Sequence, residues 1–307
     1  MKPRRVAVLI NVSSGKDDGG SDSLRKALGA AFSQHGIIAD LEFLSGPQLH
    51  VGTERALRKA TEGKLDAIVV SGGDGTIRSV ASTLVDTGVP LGIIPSGTFN
   101  HFAKDLKIPL SIDAAVALIA SGELLSIDVG DVNGEIFINN SSIGIYPYLV
   151  IDRERRRKNG LPKWFAMAWA LLRAFRHFPL RRLSIRAEDW TETVRSPCVF
   201  VGNNEYRLTG PSVGTREKLD SGQLCLLVAK HQNMVGLFLL AGRSVVGLLN
   251  QTQDLRVVTL TSVDISSRHR KLLVAFDGEV ETIQSPLHYK IRPKALRVFA
   301  PPTQVVL

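Results

Sequence analysis

The sequence predicts an α/β-plus-β protein: an N-terminal doubly wound parallel sheet, then a mainly antiparallel β-sandwich, with the active site in the cleft between them. Three observations predict it. Strand-like apolar runs alternate with helix-like stretches over residues 1–125. Over residues 126–307 strand-like runs follow one another with short turns. Three polar, glycine-bearing loops of the first part follow strands, the edge at which doubly wound sheets hold ligands. The domains are therefore 1–125 and 126–307, with about the last twenty residues packing back on the first domain.

In the first domain the strands are Val6–Ile10, Ala39–Leu44, Ala67–Val70 and Leu91–Ile94. The intervening helices are Asp22–His35, Thr53–Glu62, Thr76–Asp86 and Asp113–Ser121, the last with Asp113 as N-cap and Gly122 as stop. In the second, strands are expected at Ile127–Val132, Ile136–Ser141, Leu183–Ala187, Cys198–Gly202, Leu224–Ala229, Leu255–Leu260, Leu272–Phe276 and Tyr289–Arg292. Asn133-Gly134 marks a type I′ hairpin between the first two. Helical patterns interrupt the strands at Trp164–Arg176 and Met234–Leu249.

A chain of 307 residues, 44% apolar and 22% charged, has the composition of a globular protein with a full core in each of two domains. Its N-terminus leads straight into a strand, and its greasiest stretch is broken by Arg243, so neither a signal peptide nor a membrane span is expected. Cys198 and Cys225 lie in apolar runs without metal-ligand spacing, which points to a reducing, cytoplasmic setting. The net charge of +9 is concentrated: residues 152–182 hold ten Lys or Arg against Asp152 and Glu154. Such a surface attracts anions. A nucleic-acid partner is not expected, because no recognition motif accompanies the run. Trp164–Arg176, aromatic and flanked by basic residues, has the composition of a helix lying on anionic lipid, or of one packing on the β domain. Peripheral attachment of segment 153–182 to a membrane follows from the first of these.

The chemistry is concentrated in the loops. Gly72-Gly73-Asp74-Gly75-Thr76 ends an apolar strand and opens a helix. Glycines there let the backbone approach a ligand, and the helix amides favour a phosphate. A lone Asp beside phosphate needs a metal or a proton to handle, which points to phosphoryl transfer. Pro95-Ser96-Gly97-Thr98-Phe99-Asn100 follows the next strand, and Asn11-Val12-Ser13-Ser14-Gly15-Lys16 follows the first. Asp277-Gly278-Glu279 supplies carboxylates near the other end, although Asp-Gly between strands is also an ordinary turn.

These loops resemble the diacylglycerol kinase catalytic-domain family, which includes sphingosine kinases and bacterial soluble lipid kinases and is distantly related to NAD kinases. Gly72–Thr76, Pro95–Ala103, Asn11–Lys16 and Ala275–Glu279 carry the resemblance, in the family's order and spacing. It implies ATP-dependent, magnesium-assisted phosphorylation of a lipid hydroxyl, diacylglycerol-like. It implies that Gly72, Gly73, Asp74, Gly75, Thr76 through Arg78, with Thr98 and Asn100, hold the nucleotide phosphates, and that Asn11, Lys16 and Ser45 flank the nucleotide. Glu279 becomes the general base, with Asp74 and Asp277 as the other catalytic carboxylates. A homodimer is compatible with it.

The chain departs from the family pattern in three places. His101 stands where an acid is usual, Val12 where proline is usual, and Ser221 where the magnesium loop of bacterial members has its second acid, leaving Asp220 as the metal-ligand candidate with Glu217 nearby. Two other functions stay open on these residues: an NAD-kinase-like enzyme, which shares the Gly72–Thr76 motif, and a catalytically weak lipid- or nucleotide-binding regulator.

Overall fold

The computed structural model describes residues 2–12, 20–159, 181–208, 214–230, 236, 242–243 and 254–301. Lys16, the Trp164–Arg176 helix and nearly all of Met234–Leu249 lie outside them. The chain divides into two compact units, one of residues 1–129 with the segment from Pro293 onward, the other of Gly130–Arg292.

The first unit has the predicted α/β alternation. Its elements are β1 (Arg5–Asn11), α1 (Gly20–Gln34), β2 (Ile38–Leu44), α2 (Gly46–Thr61), β3 (Ala67–Gly72), α3 (Asp74–Leu84), β4 (Leu91–Pro95), α4 (His101–Asp105), α5 (Ile112–Ser121) and the first part of β5 (Leu124–Val132). Strands β2, β1, β3 and β4 pair in that order, all parallel. β3 and β4 are buried along their whole length, as their unbroken apolar sequence requires. Helices α1 and α5 pack together and α2 packs on α3. Leu28, Phe32, Ile77, Leu84 and Ile119 are among the side chains this buries.

Helix ends differ from expectation where capping outweighs apolar spacing. Helix α2 starts at Gly46 and not Thr53, because Pro47 suits its first turn and Gln48 Oε1 accepts the Ser45 N–H at 3.0 Å. Ser111, rather than Asp113, is the N-cap of α5, with Asp113 in its first turn. Gly122 ends α5 in the left-handed conformation, as predicted.

The second unit is a β-sandwich. One sheet has the order β12 (Leu255–Leu260), β11 (Leu224–Ala229), β10 (Cys198–Asn203), β7 (Asn140–Gly144), β14 (Lys271–Phe276), β15 (Glu279–Gln284), antiparallel throughout. Facing it are β9 (Thr191–Ser196), β8 (Arg181–Arg186), β13 (Ser262–Ser267) and the start of β16 (Leu287–Phe299). Val199, Val201, Leu226 and Phe276 of the first sheet share a buried core with Ile185, Val263, Ile265 and Tyr289 of the second. The Tyr289 hydroxyl finds the Ser141 hydroxyl at 3.0 Å inside that core, and burial raises its pKa above the usual tyrosine range.

Three differences from the expected strands have local causes. The run Ile136–Ser141 is not one strand: it breaks at Ile138–Asn139 into β6 (Glu135–Phe137) and β7, around a turn whose amides are bonded to Asp277. Strands β9 and β15 are polar and mostly exposed, so they lack the apolar alternation that would reveal them. β16 is far longer than Tyr289–Arg292: it begins antiparallel to β13, continues past Pro293, and pairs with β4 in parallel at Val298. The Asn133-Gly134 turn is as predicted, with φ of 52° and 94° between β5 and β6.

Helix α6 (Ile145–Asn159) was not legible as a helix, because its charged second half has no apolar period. It carries the start of the basic run, and Tyr148 and Leu149 near its beginning are exposed. No helix among the described residues is long and apolar enough to cross a membrane. Cys198 and Cys225 are buried, the Cys198 thiol pushed up to about 12 by desolvation, so both are core residues rather than reactive groups.

Candidate functional site

The glycine loops after β3 and β4 are built into each other. In the parallel register Gly72 lies opposite Pro95, and Ser96 N–H donates to the Gly72 carbonyl at 3.1 Å. The loops then touch backbone to backbone: a Cβ on Gly97 would come within 2.5 Å of the Gly73 Cα, and one on Gly73 within 3.2 Å of the Gly97 Cα. No side chain fits at Gly97, and one at Gly73 would press against the Gly97 backbone, so close approach favours glycine in both loops. Asn100, buried with φ of 51°, closes the second loop on itself. Its Oδ1 accepts Gly97 N–H at 2.9 Å and its Nδ2 donates to the Gly97 carbonyl at 3.0 Å.

Asp74 joins the two loops. It sits in the first turn of α3, and its carboxylate accepts the N–H of His101 at 3.2 Å and of Phe102 at 3.1 Å. It thus caps the short α4, whose own N-cap residue makes no side-chain cap. Phe102 is fully buried and anchors that turn from below. Each Asp74 oxygen accepts one amide and keeps a lone pair, so the group retains capacity for a cation.

The end of β1 reaches the same place. Asn11 Nδ2 donates to the Thr76 hydroxyl at 2.8 Å, tying the first strand to the first turn of α3. That helix begins at Gly73 without a side-chain cap, and its N-terminal amides and positive dipole end suit an anion. Thr98 is exposed beside it, and Phe99, 55% exposed, stacks on His101 with ring centroids 5.5 Å apart. Asn11, Gly72, Gly73, Asp74, Gly75, Thr76, Thr98 and Asn100 therefore gather at one end of the parallel sheet. Ser45 stands at the N-cap of α2, its N–H and hydroxyl both directed to Gln48 Oε1.

In the second unit, Asp277 and Gly278 form the two-residue turn between β14 and β15, with φ of 52° and 87° and Phe276 paired with Glu279. The Asp277 carboxylate accepts three amides, from Ile138 at 2.7 Å, Asn139 at 2.8 Å and Asn140 at 3.1 Å. It is a bracket between the hairpin and the 138–140 turn. Glu279, the next residue but one, is exposed at the start of β15.

Sequence pattern did not reveal the other clamp on that turn. Arg216 is buried, and its guanidinium donates to the carbonyls of Ile138 and Asn203 and to Asn139 Oδ1. A lone arginine in a polar loop carries no periodic or motif signal. Asp220 is exposed, Glu217 is ion-paired with Arg207, and among the described residues no group of three or more His, Cys, Asp or Glu is arranged to hold a metal ion.

Residues 5–132 match the diacylglycerol kinase catalytic domain, and residues 150–300 match the YegS C-terminal NAD kinase beta sandwich-like domain. Over 94% of its length the chain is 26% identical to a Pectobacterium atrosepticum protein named "Probable lipid kinase YegS-like", covering 97% of it. An uncharacterized Synechocystis sp. protein is 30% identical over 76% of this chain, which spans about half (54%) of that relative's length. A crystal structure of a diacylglycerol kinase from Bacillus anthracis shares the fold, with a TM-score of 0.69 at 23% identity, over 99% of this chain and 100% of that one. Yeast NADH kinase shares it more distantly, with a TM-score of 0.52 at 10% identity, over 99% of this chain and 85% of that one.

Proposed function

The chain belongs to the diacylglycerol kinase catalytic-domain family, and from that membership we propose that it transfers the γ-phosphoryl group of ATP to the hydroxyl of a diacylglycerol-like lipid at an anionic membrane surface. The observation that supports this best is the pair of glycine loops interlocked at Gly73 and Gly97 and bridged by Asp74. Phosphoryl transfer needs little covalent chemistry from the protein. It needs phosphates held in place and their charge offset. The amides at the start of α3 and the Thr76 hydroxyl are the groups of the first unit suited to the phosphates. Asp74 is the carboxylate that would hold magnesium, which when bound offsets phosphate charge. Glu279 is assigned as the base that takes the proton from the attacking hydroxyl, with Asp277 fixing the turn that carries it.

The membrane part of the proposal rests on the basic run of residues 152–182 and on the exposed Tyr148 and Leu149 at the start of the helix leading into it. A soluble kinase acting on a bilayer lipid gains from such attraction, about 1 kcal/mol for each basic residue near an anionic surface. Replacing Arg155, Arg156 and Arg157 by Gln is expected to weaken binding to phosphatidylglycerol vesicles at least tenfold at low salt and by less at high salt. Co-sedimentation measures it. Binding indifferent to both salt and substitution would remove this segment from the proposal.

The test of the activity itself is a screen with γ-labelled ATP, magnesium and vesicles containing, in turn, diacylglycerol, monoacylglycerol, a sphingoid base or phosphatidylglycerol. Label in a lipid is the expected result. Label in none of them would sink the lipid-kinase proposal. A second reading, phosphorylation of NAD, draws on the NAD kinase-like character of the C-terminal domain, and an arm containing NAD distinguishes it.

A further inference from the structure

The loop in which the family resemblance places a structural metal, Lys218–Leu224, is fastened here by groups of the protein itself. Arg216 Nη1 donates to the Ile138 carbonyl at 2.7 Å and to the Asn203 carbonyl at 3.0 Å, and Nη2 donates to Asn139 Oδ1 at 2.7 Å. The guanidinium also lies over the Tyr206 ring, 5.5 Å from its centroid. Other groups brace the same turn: Asn203 Nδ2 also donates to the Ile138 carbonyl, at 3.0 Å, and the Tyr206 hydroxyl donates to the backbone carbonyl of Asn139 at 3.0 Å. Carbonyl and amide oxygens converging on one positive charge are what a hard divalent ion collects. A guanidinium offers that charge with its donors already set in a fixed fork.

The rest of the loop is bonded within the protein in the same way. Ser221, standing where a second acid would be needed, donates both its N–H (2.9 Å) and its hydroxyl to Asn204 Oδ1. Asn204 N–H in turn donates to the Gln223 carbonyl at 3.0 Å. Glu217 is committed to Arg207, whose backbone N–H and carbonyl bond to Thr215 and Gly214 at 2.9 and 2.8 Å. That leaves Asp220, exposed, as the remaining carboxylate of the loop. With Glu217 ion-paired and Asn204 Oδ1 already accepting from Ser221, this donor set offers a hard cation a single exposed carboxylate, a poor fit to such an ion.

We propose that in this chain Arg216 and the Asn204–Ser221 pair fasten the 214–224 loop in place of a divalent ion, so that the loop and the second unit are independent of magnesium. The consequence reaches further than the loop, because the 138–140 turn held by Arg216 is the one whose amides Asp277 accepts.

The experiment uses the full chain without nucleotide, in millimolar magnesium and in EDTA. Thermal unfolding and amide exchange over residues 214–224 are measured for the wild type, Asp220→Asn, Arg216→Ala, Arg216→Lys and Asn204→Ala. The expected result is a wild-type midpoint and loop exchange that do not change with magnesium. Arg216→Ala and Asn204→Ala should lower the midpoint by about 3 °C or more, without rescue by magnesium. Arg216→Lys should also fall, because an ammonium lacks the fork. Magnesium that slows loop exchange or raises the wild-type midpoint, with the effect lost in Asp220→Asn, would overturn the proposal. Slower loop exchange in magnesium that persists in Asp220→Asn would overturn it as well, whereas a raised midpoint with loop exchange unchanged and retained in Asp220→Asn places the ion outside the loop and supports it. Should Arg216→Ala not fold, the wild type, Asp220→Asn and Arg216→Lys carry the same decision.

Discussion

Asp74→Asn is expected to remove at least 99% of phosphoryl transfer and to lower the melting midpoint of the protein as well, because the carboxylate serves two purposes. Toward the nucleotide, the proposed function makes it the acid beside the phosphate loop, and no neutral amide replaces it for a cation. Toward the fold, it accepts the amides of His101 and Phe102 and so holds α4 against α3. The substitution keeps one acceptor and turns an amide donor toward a backbone N–H. The mismatch costs about 1–3 kcal/mol, and at about 2–4 °C per kcal/mol for a domain of this size the shift is readily measured. Turnover normalised to the folded fraction separates the two effects. Near-normal turnover per folded molecule would mean that Asp74 is only the bracket, and the phosphate-site assignment would fail.

The second expected result is a contrast within three residues. Asp277→Ala should destabilise strongly, by about 3 kcal/mol or more, since charge-assisted hydrogen bonds are worth about 1.5–3 kcal/mol each and three amides lose their acceptor. Glu279→Gln should leave the melting midpoint within about 1 °C of wild type, its side chain being exposed on β15, while lowering turnover at least about a hundredfold through loss of the base. Unfolding curves and the vesicle assay measure both. An inactive Asp277→Ala of wild-type stability would reverse the roles, making Asp277 the acid that acts in the reaction.

The loops are where pattern and fold met most closely. Gly72–Thr76 and Pro95–Asn100 were legible because a strand running into glycines and then a helix is a local event, fixed by neighbours in sequence. The reason for two of those glycines was not. Gly73 and Gly97 are twenty-four positions apart, and only the parallel register of β3 and β4 brings their Cα atoms together. Asp277-Gly278 was legible both as a motif and as a turn. The structure shows it to be a turn with both residues at positive φ, whose carboxylate reaches back to residues 138–140. Arg216 and helix α6 gave no advance signal. One is a single charged residue in a polar loop, and the other lacks an apolar stripe.

Hydrophobic period, glycine punctuation and capping residues were sufficient to specify the class of each unit, most of the strands and the glycine loops after β3 and β4. Each of these depends on interactions between residues a few positions apart. Tertiary structure decided what the polar groups are for. Asp74, Asp277 and Arg216 all find backbone partners that are distant in sequence. A buried or half-buried charge is tolerated only where such partners are waiting. That a carboxylate at the end of a strand also serves as a clamp is written in those contacts, and sequence spacing alone does not contain them.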